Sequence, residues 1–531
     1  MKRMKKILAL LLVAVMLLSI AACGKSSDTP SQGGNTPAQS GNSNKEDNKN
    51  TIKVKDEKPV LKILHSSTSY DMNTTIEAGV ISDVTGYKVE YGNLPSSNAS
   101  QALMLIMADK PKYDLISISR ANFNNLKNNG ALLPLNDYID AIAPELWDCI
   151  PEAAWAGLSD EKGNVYALPK LYSLDREVAS WMTVRMDLVK AAGIEELPTT
   201  LDGFYAMLRT LKAYYGNEYI ILSGPYVQGS LNQTKMPECL SAAYGIYNDW
   251  MVDENGKVIY MTEHKNFKKM ISDLQALYNE GIIDVDWATN GYAQVDENMA
   301  SGRAIITFGS REKIMNVAQA LTDAKICTED DLDFIGALWG EDGTCTVMGT
   351  DSYASYTCIP VKNPENAADS IAFIAAKVKN QEIINIGEEG VHFTWGEDGY
   401  PHPINPIFTD ERNKSSTYLY FADMETYRVQ FSARLQKSAI MWRAYSKVTL
   451  DTIENNPEIF VTPYFAYTNS SAYAENNEVL LTALNDYLAQ VIPGLKSLDD
   501  LDTFYSDWKN NLGEEVRAEL QVWYDTNYAG Q

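Results

Sequence analysis

PVLKILHSST, running from Pro59 to Thr68, is the stretch that decides the fold class. Most residues between Val60 and Leu64 are apolar, so neither face of the strand is suited to contact with solvent. This pattern is typical of a buried strand. A helical spacing of apolar residues follows, and Gly86 stands where that helix is expected to stop. YKVEY (87–91) and YDLISIS (113–119) are two further predicted strands with a second predicted helix between them. The alternation of strand and helix predicts parallel pairing and an α/β lobe.

The same alternation restarts after Pro169 and predicts a second lobe. VASWMTV (178–184) is a predicted strand, TLDGFYAMLRTLKAY (200–214) is a predicted helix capped by Thr200, and EYIILSG (218–224) is again a predicted strand. The last 60 residues are predicted to be mainly helical. Two such lobes form a natural clamp, because hinge closure around a small molecule is an attested motion of bilobed binding proteins.

The N-terminal end has the layout of a secretory signal peptide over residues 1–22. Basic residues precede the apolar run Ile7–Leu18, which is too short to span a bilayer. Cys23, behind the small residues IAA, resembles the bacterial lipobox, which implies cleavage before this cysteine and attachment of a lipid to it. Residues 23–57 are predicted to be a flexible tether, because Gly24–Asn50 contains no aromatic or large aliphatic residue. Its typical reach is on the order of 30 Å. We expect the protein on the outer face of the bacterial cytoplasmic membrane, extracellular in a Gram-positive cell.

Composition narrows the function classes further. The formal charge of −25 argues against nucleic acid or an anionic membrane surface as a partner. The four histidines are scattered singly and make no metal-ligand spacing, so we expect neither a metal site nor a cofactor. Five cysteines follow Cys23, and an odd number leaves at least one of them unpaired in a monomer. Buried free thiols are the favoured interpretation, and a Cys345–Cys358 bridge is the alternative.

KGNVYALP (162–169) resembles the crossover segment of the extracellular solute-binding proteins of bacterial ABC importers, in particular their large carbohydrate-associated lipoproteins. Each matching motif is short, but five of them occur in the family's order, from about Val60 to the C-terminus. The other four are VRMDLVKAAGIEELPTTLDGFYAMLRTLK (184–212), LQALYNEGIIDVDW (274–287), ASGRAIITFG (300–309) and NIGEEGVHFTWGEDGYP (385–401).

This resemblance implies a two-lobed, periplasmic-binding-protein-like α/β fold, each lobe a mainly parallel sheet flanked by helices, with a hinge cleft between the lobes. It implies a monomeric, non-enzymatic protein that binds an oligosaccharide and delivers it to the permease subunits of an ABC importer. The expected segments are the first part of the N-terminal lobe (58–168), the first part of the C-terminal lobe (169–340), a return to the N-terminal lobe (341–425) and a mainly helical part of the C-terminal lobe (426–531).

A sugar cleft needs aromatic faces and a few hydrogen-bonding groups, because sugar rings present apolar C–H patches beside hydroxyls. Ligands of α/β sheets bind beyond the carboxyl ends of the strands. For each aromatic candidate, core packing is an equally good interpretation. The candidates near predicted crossovers and strand ends are Tyr166, Tyr172, Trp181, Trp250, Trp339, Tyr353 and Trp395 as faces, with Ser67, Ser119 and Arg120 as polar partners.

The sequence also bears on ligand charge. Some relatives that bind acidic sugars carry a calcium loop of alternating Asp and Asn after the helix that corresponds to 200–214. This chain instead reads YGNEYIILSG (215–224), which lacks oxygen ligands at alternating positions, so no metal is expected there. Arg120 is the one basic residue among the cleft candidates, and a buried carboxylate needs cationic partners. Neutral oligosaccharides are therefore favoured over acidic ones.

Three other functions compete with this interpretation. A secreted glycoside hydrolase would use two carboxylates, but the adjacent Glu388 and Glu389 are poorly placed to face each other at the roughly 5 to 9.5 Å that hydrolysis needs. No catalytic residue is therefore assigned. An adhesin or an extracytoplasmic chaperone would show an exposed apolar surface and no small-molecule cleft. A binder of peptides or other small solutes would share the predicted fold.

Overall fold

The computed structural model describes residues 52–531 except for residues 151, 172–177, 179–180, 225–237, 309–312, 349–352, 419–423, 462–464, 466–467, 469 and 529–531. The predicted signal peptide, Cys23 and the predicted tether up to Thr51 lie outside the described residues. Within the described part, none of the helices is both long enough and apolar enough to cross a membrane.

The strands are β1 (Leu61–His65), β2 (Val89–Asn93), β3 (Leu115–Ile118), β4 (Leu168–Leu171), β5 (Met182–Arg185), β6 (Ile220–Ser223), β7 (Trp250–Val252), β8 (Val258–Tyr260), β9 (Ala304–Phe308), β10 (Leu332–Ile335), β11 (Val347–Met348), β12 (Tyr353–Cys358), β13 (Phe393–Trp395), β14 (Pro401–Pro403) and β15 (Phe460–Val461).

The helices are α1 (Ile76–Thr85), α2 (Ala99–Ala108), α3 (Arg120–Asn128), α4 (Asn136–Ile142), α5 (Glu152–Ala156), α6 (Met186–Ala191), α7 (Leu201–Tyr215), α8 (Glu238–Ser241), α9 (Phe267–Asn279), α10 (Tyr292–Ala300), α11 (Ile314–Asp323), α12 (Ala367–Lys379), α13 (Gln381–Asn385), α14 (Ile407–Arg412), α15 (Met424–Leu435), α16 (Ala439–Tyr445), α17 (Asp451–Asn455), α18 (Ser471–Val491), α19 (Leu501–Trp508) and α20 (Glu514–Asn527).

The first large sheet has the strand order β2-β1-β3-β12-β4. β1 pairs in parallel with both β2 and β3, as the alternation of strand and helix predicts. β12 enters between β3 and β4 and is antiparallel to both, so a late segment of the chain completes the sheet of the early one. The pairing is compatible with the predicted return of the chain to the first lobe. The segment boundaries themselves stay predictions, and β4 extends to Leu171, past the expected boundary at 168.

The second large sheet has the order β10-β5-β9-β6. β6 and β9 are parallel, but β5 is antiparallel to both β9 and β10. The sheet is therefore mixed rather than mainly parallel. The sequence did not show this, because a strand has the same residue pattern whichever way it pairs with its neighbours. The two sheets, each flanked by helices, form the two lobes of an α/β fold.

Several local predictions are confirmed by cap geometry. The Thr200 hydroxyl accepts a hydrogen bond from the backbone N–H of Gly203 at the start of α7. Gly86 ends α1 with a φ of 70°, a left-handed conformation that glycine adopts without strain. The buried residues of α1 are Glu77, Ile81 and Thr85. The inward face of this helix thus includes a carboxylate as well as apolar residues.

Of the five cysteines that follow Cys23, three are buried, whereas Cys149 and Cys327 are half-buried. Cys358 is a free thiol at the end of β12, and complete burial raises its pKa well above the ordinary value. The Cys345–Cys358 bridge is therefore not formed in this structure. Cys239 and Cys345 are also buried.

Candidate ligand-binding site

Four strands of the first sheet bring polar residues to one edge, which we call the carboxyl edge. β1 and β3 are parallel and end there. β12 begins there, because its antiparallel register places Tyr356 opposite Ile118 of β3. β4 ends there as well, because Ser355 of β12 lies opposite Lys170. This is the edge at which ligands of open α/β sheets bind.

Arg120 is the centre of a contact between distant parts of the chain. It is the first residue of α3, directly after β3, and its Nε donates a hydrogen bond to the Tyr356 hydroxyl at 3.0 Å. Its guanidinium carbon also lies 6.0 Å from the centre of the Tyr473 ring in α18, a distance at which a cation and an aromatic face attract each other. We call these three residues the interlobe contact.

Helix α18 is hydrogen-bonded to the part of the chain around the second sheet. Gln275 of α9 donates a hydrogen bond to the Val491 carbonyl at the end of α18, at 2.9 Å. Directly after α9, the Ile282 carbonyl accepts a hydrogen bond from Leu222 of β6, at 3.1 Å. Arg120, which follows a strand of the first sheet, therefore contacts a helix that is also bonded to the segment around the second sheet.

A buried polar network lies beside Tyr473. Asn477 donates to the Asp249 carboxylate at 3.2 Å, and it accepts a hydrogen bond from the indole N–H of Trp250 at 2.8 Å. The other carboxylate oxygen of Asp249 accepts from the Trp250 backbone N–H at 2.9 Å. Burial raises the pKa of Asp249, and burial likewise raises the pKa of Tyr473. These fixed partners hold the start of α18 in place.

The predicted polar partners lie where the sequence placed them. Ser67 follows β1 and Ser119 follows β3, and both are exposed at the carboxyl edge, whereas Arg120 of the interlobe contact is half-buried. Tyr166 is half-buried, and its hydroxyl donates to Asp160 at 3.0 Å within a turn. Whether these residues contact a ligand stays a prediction.

The remaining aromatic candidates have different surroundings. Trp395 lies in the β13–β14 hairpin with 43 % of its surface exposed. Trp339 is half-buried and its backbone pairs with Thr199 and Leu201 at the start of α7. Tyr353 begins β12 at the carboxyl edge, and Tyr172 lies outside the described residues.

Trp181 and Trp250 are core residues in this structure, which corrects their prediction as ligand-stacking faces. Each is only 1 % exposed. Trp181 packs against Phe334, and Trp250 packs against Tyr260 and Trp508, with ring centres 5.0 and 5.6 Å away. Neither ring offers a face to a ligand here, because neighbouring side chains already cover it.

Sequence reasoning also missed a set of basic residues. We call His65, Lys170, Lys377 and Arg434 the basic cluster, since Lys170 and Lys377 act electrostatically on His65 and Arg434 acts on Lys170. Burial lowers the pKa of His65 to about 4, and the nearby Lys170 and Lys377 lower it further. Burial together with the Arg434 charge lowers the pKa of Lys170 to about 8. No local sequence pattern indicates this cluster, because its members come from four separate segments of the chain.

Within the ranges that the structure describes, no three or more His, Cys, Asp or Glu side chains are grouped to hold a metal ion. The segment with the calcium-loop position in some relatives passes from α7, which ends at Tyr215, directly into β6 at Ile220.

The sequence comparisons with known proteins agree on one family of similar proteins. The sequence model of the bacterial extracellular solute-binding proteins matches residues 72–333. The lipoprotein LipO of Bacillus subtilis is 24 % identical over 542 residues, which covers 98 % of this chain and 99 % of LipO. The fructooligosaccharide ABC transporter substrate-binding protein FusA of Streptococcus pneumoniae is 25 % identical over 249 residues, which covers 43 % of this chain and 45 % of FusA.

Solved structures show the same fold. The structure of FusA in complex with kestose has a TM-score of 0.63 at 19 % identity and covers 89 % of this chain and 100 % of FusA. That of the alginate-binding protein AlgQ2 without calcium ion has a TM-score of 0.63 at 17 % identity and covers 89 % of this chain and 99 % of AlgQ2. In sequence over residues 72–333 and in fold over most of its length, the chain is similar to the bacterial extracellular solute-binding proteins.

Proposed function

We propose that this protein is the lipid-anchored substrate-binding component of an ABC importer, which binds an oligosaccharide between its two lobes and delivers it to membrane permease subunits. The observation that carries the proposal is the interlobe contact, in which Arg120 of the first lobe meets Tyr473 of α18. A ligand held at this place would touch both lobes at once, which is what clamp closure requires.

The chemistry of the site favours a polyhydroxylated ligand. A guanidinium group donates several hydrogen bonds in a fixed plane. Sugar hydroxyls can accept these hydrogen bonds. Arg120, Ser119 and Ser67 offer such donors along the carboxyl edge, with the Tyr356 hydroxyl beside them. That FusA, a protein of the same fold, was solved with kestose supports a sugar as the ligand class.

Calorimetric titration of the purified full-length protein with oligosaccharides of two to six units tests this proposal. We expect saturable binding and a melting temperature that rises with ligand concentration, by linkage. Arg120→Ala is expected to weaken binding about ten- to a hundredfold, since hydrogen bonds to a charged group contribute about 1.5–3 kcal/mol.

Arg209→Ala is the matched control, because Arg209 is exposed and paired with Glu280 on the outside of α7. Chromatography of the same mixtures should return every oligosaccharide intact. Equal affinity of the Arg120→Ala variant and the wild type would place the ligand elsewhere, and shortened products would favour the hydrolase alternative. Glu388 and Glu389 give that alternative little support, since both are exposed in the turn between α13 and β13.

The anchor is a separate part of the proposal and rests on the sequence around Cys23. Because lipid attachment requires the cysteine sulfur, Cys23→Ser is expected to release the protein into the medium or to leave its signal peptide uncleaved. Fractionation of cells and mass spectrometry of the N-terminus measure both outcomes. A variant that is still cleaved and still needs detergent for extraction would contradict the anchor.

A further inference from the structure

The loop between β1 and α1 begins at the carboxyl edge and contains the candidate Ser67. We call residues 66–75 the edge loop. Ser67 and Ser69 are exposed, whereas Thr68 and Tyr70, which alternate with them, are half-buried. The exposed serines therefore offer their hydroxyls to solvent, and the residues that alternate with them contact the protein.

One side of the edge loop is hydrogen-bonded to β2. Asn93 at the end of β2 donates to the Thr68 hydroxyl at 2.9 Å, and this hydroxyl donates to the Tyr70 carbonyl at 2.7 Å. The side-chain amide of Asn73 accepts from the Tyr91 backbone N–H at 2.7 Å and donates to the Tyr91 carbonyl at 2.9 Å. The Asn73 amide thus makes the two hydrogen bonds that a neighbouring strand would make with Tyr91.

A segment from far along the chain holds the other side of the edge loop. The Tyr70 hydroxyl donates to the Thr417 hydroxyl at 2.7 Å. The hydroxyl of Tyr418, a residue that is only 2 % exposed, donates to the Met72 carbonyl at 2.9 Å and lies 2.6 Å from the Thr75 hydroxyl. We call Thr417 and Tyr418 the latch pair. The edge loop is therefore fixed on both sides in the absence of a ligand.

The chain directly before the latch pair is itself bonded to the interior of the first lobe. Ser415 is fully buried, and its hydroxyl donates to the Asn385 carbonyl at the end of α13, at 2.9 Å. The Lys414 backbone N–H donates to the buried Glu77 carboxylate of α1, at 2.9 Å. The Lys414 ammonium lies 4.7 Å from the centre of the Tyr70 ring, within cation–π distance. The latch pair therefore cannot shift without breaking buried hydrogen bonds.

We propose that Tyr70 and the latch pair are positioning residues of the ligand site, which hold the edge loop in the shape that presents Ser67 and Ser69 to an oligosaccharide. The inference rests on the proposed function, since it assumes that a sugar binds at the carboxyl edge. A loop that is fixed before the ligand arrives loses little conformational freedom on binding. If the latch opens, only the fraction of molecules with a closed latch is competent to bind, and the apparent affinity falls by that fraction.

Hydrogen–deuterium exchange of the ligand-free, full-length protein in detergent tests the latch by itself. Tyr70→Phe and Thr417→Val each remove one hydroxyl of the same hydrogen bond, whereas Thr417→Ser keeps the hydroxyl. We expect the amides of the edge loop to exchange about two- to tenfold faster in the first two variants, which is the net contribution of one neutral hydrogen bond expressed as a ratio. Thr417→Ser should exchange at nearly the wild-type rate.

Calorimetric titration of the same variants then tests the role in binding. The probes are those members of a panel of neutral and acidic oligosaccharides of two to six units, kestose among them, that raise the melting temperature of the wild type. Tyr70→Phe and Thr417→Val should each weaken binding about two- to tenfold, and Thr417→Ser should restore wild-type affinity. The double variant should lose no more than either single variant, because both changes remove the same hydrogen bond.

Tyr214→Phe is the matched control for this titration. It removes the same kind of hydroxyl from a tyrosine that is 60 % exposed at the end of α7. Its affinity should differ from that of the wild type by less than twofold.

The outcomes separate the positioning role from the proposed function. Faster exchange or a lower melting temperature of the Tyr70→Phe variant, with unchanged affinity, would make the latch merely structural and leave oligosaccharide binding intact. An equal loss of affinity in Thr417→Ser would also overturn the positioning role, since the hydroxyl would then not be its cause. A panel in which no oligosaccharide raises the melting temperature would overturn the proposed function, and the role of the edge loop in binding with it.

Discussion

Trp250→Ala is expected to lower the free energy of unfolding by about 3–5 kcal/mol, the usual loss when a large aromatic residue is deleted from a core. Its ring is 1 % exposed and packs between Tyr260 and Trp508, and its indole N–H is bonded to Asn477. Alanine would leave a cavity and an amide oxygen without its donor. Urea unfolding followed by circular dichroism measures the change.

Trp395→Ala is the control for this prediction. Its side chain keeps 43 % of its surface exposed in the β13–β14 hairpin, so we expect a change within about 0.5 kcal/mol, as for surface substitutions in general. If Trp250→Ala instead unfolded at the wild-type urea concentration and lost ligand affinity, Trp250 would be a ligand-stacking residue and its placement in the core would be wrong.

A pH-dependent loss of stability is the second large effect that we expect. His65 has a pKa of about 4 in the folded protein against 6.5 as its ordinary value, because burial and the charges of Lys170 and Lys377 oppose its protonation. Between these two pKa values the unfolded chain binds more protons than the folded one, so the free energy of unfolding falls as the pH is lowered. The contribution of His65 is fully present above about pH 7 and lost by about pH 4, and it amounts to at most about 3 kcal/mol.

His65→Gln isolates this contribution, because glutamine keeps a polar side chain that does not titrate. The difference in unfolding free energy between pH 7 and pH 4.5 should be smaller in the variant than in the wild type. His402→Gln is the matched control, since His402 is exposed beside Asp398 on the β13–β14 hairpin. An identical pH dependence for wild type and His65→Gln would mean that His65 is solvated and that the basic cluster is more open than its burial indicates.

The sequence alone predicts the first strands and helices of both lobes in their correct order, but it misses others such as β10. Buried strands such as β1 and β3 are visible as apolar runs, and helix ends such as Thr200 and Gly86 are visible as caps. These features depend on residues within a few positions of one another, so a local pattern contains them. The same reasoning places Ser119 and Arg120 at a strand end, and that placement is confirmed.

The direction of individual strands was harder to predict from the sequence. β5 was expected in a mainly parallel sheet, but it lies antiparallel between β9 and β10. A strand has the same alternation of residues whichever way it pairs, so its direction depends on where the connecting chain enters the sheet.

Tertiary structure alone decided which polar groups meet. Tyr473 approaches Arg120 because α18 lies against α3, and the basic cluster joins residues of β1, β4, α12 and α15. It also decided that Trp181 and Trp250 are core residues rather than cleft residues. Sequence periodicity shows which residues face away from solvent. The side chains that cover these residues, however, come from segments far along the chain. Burial against protein and burial against a ligand are therefore distinguished only once those segments are packed.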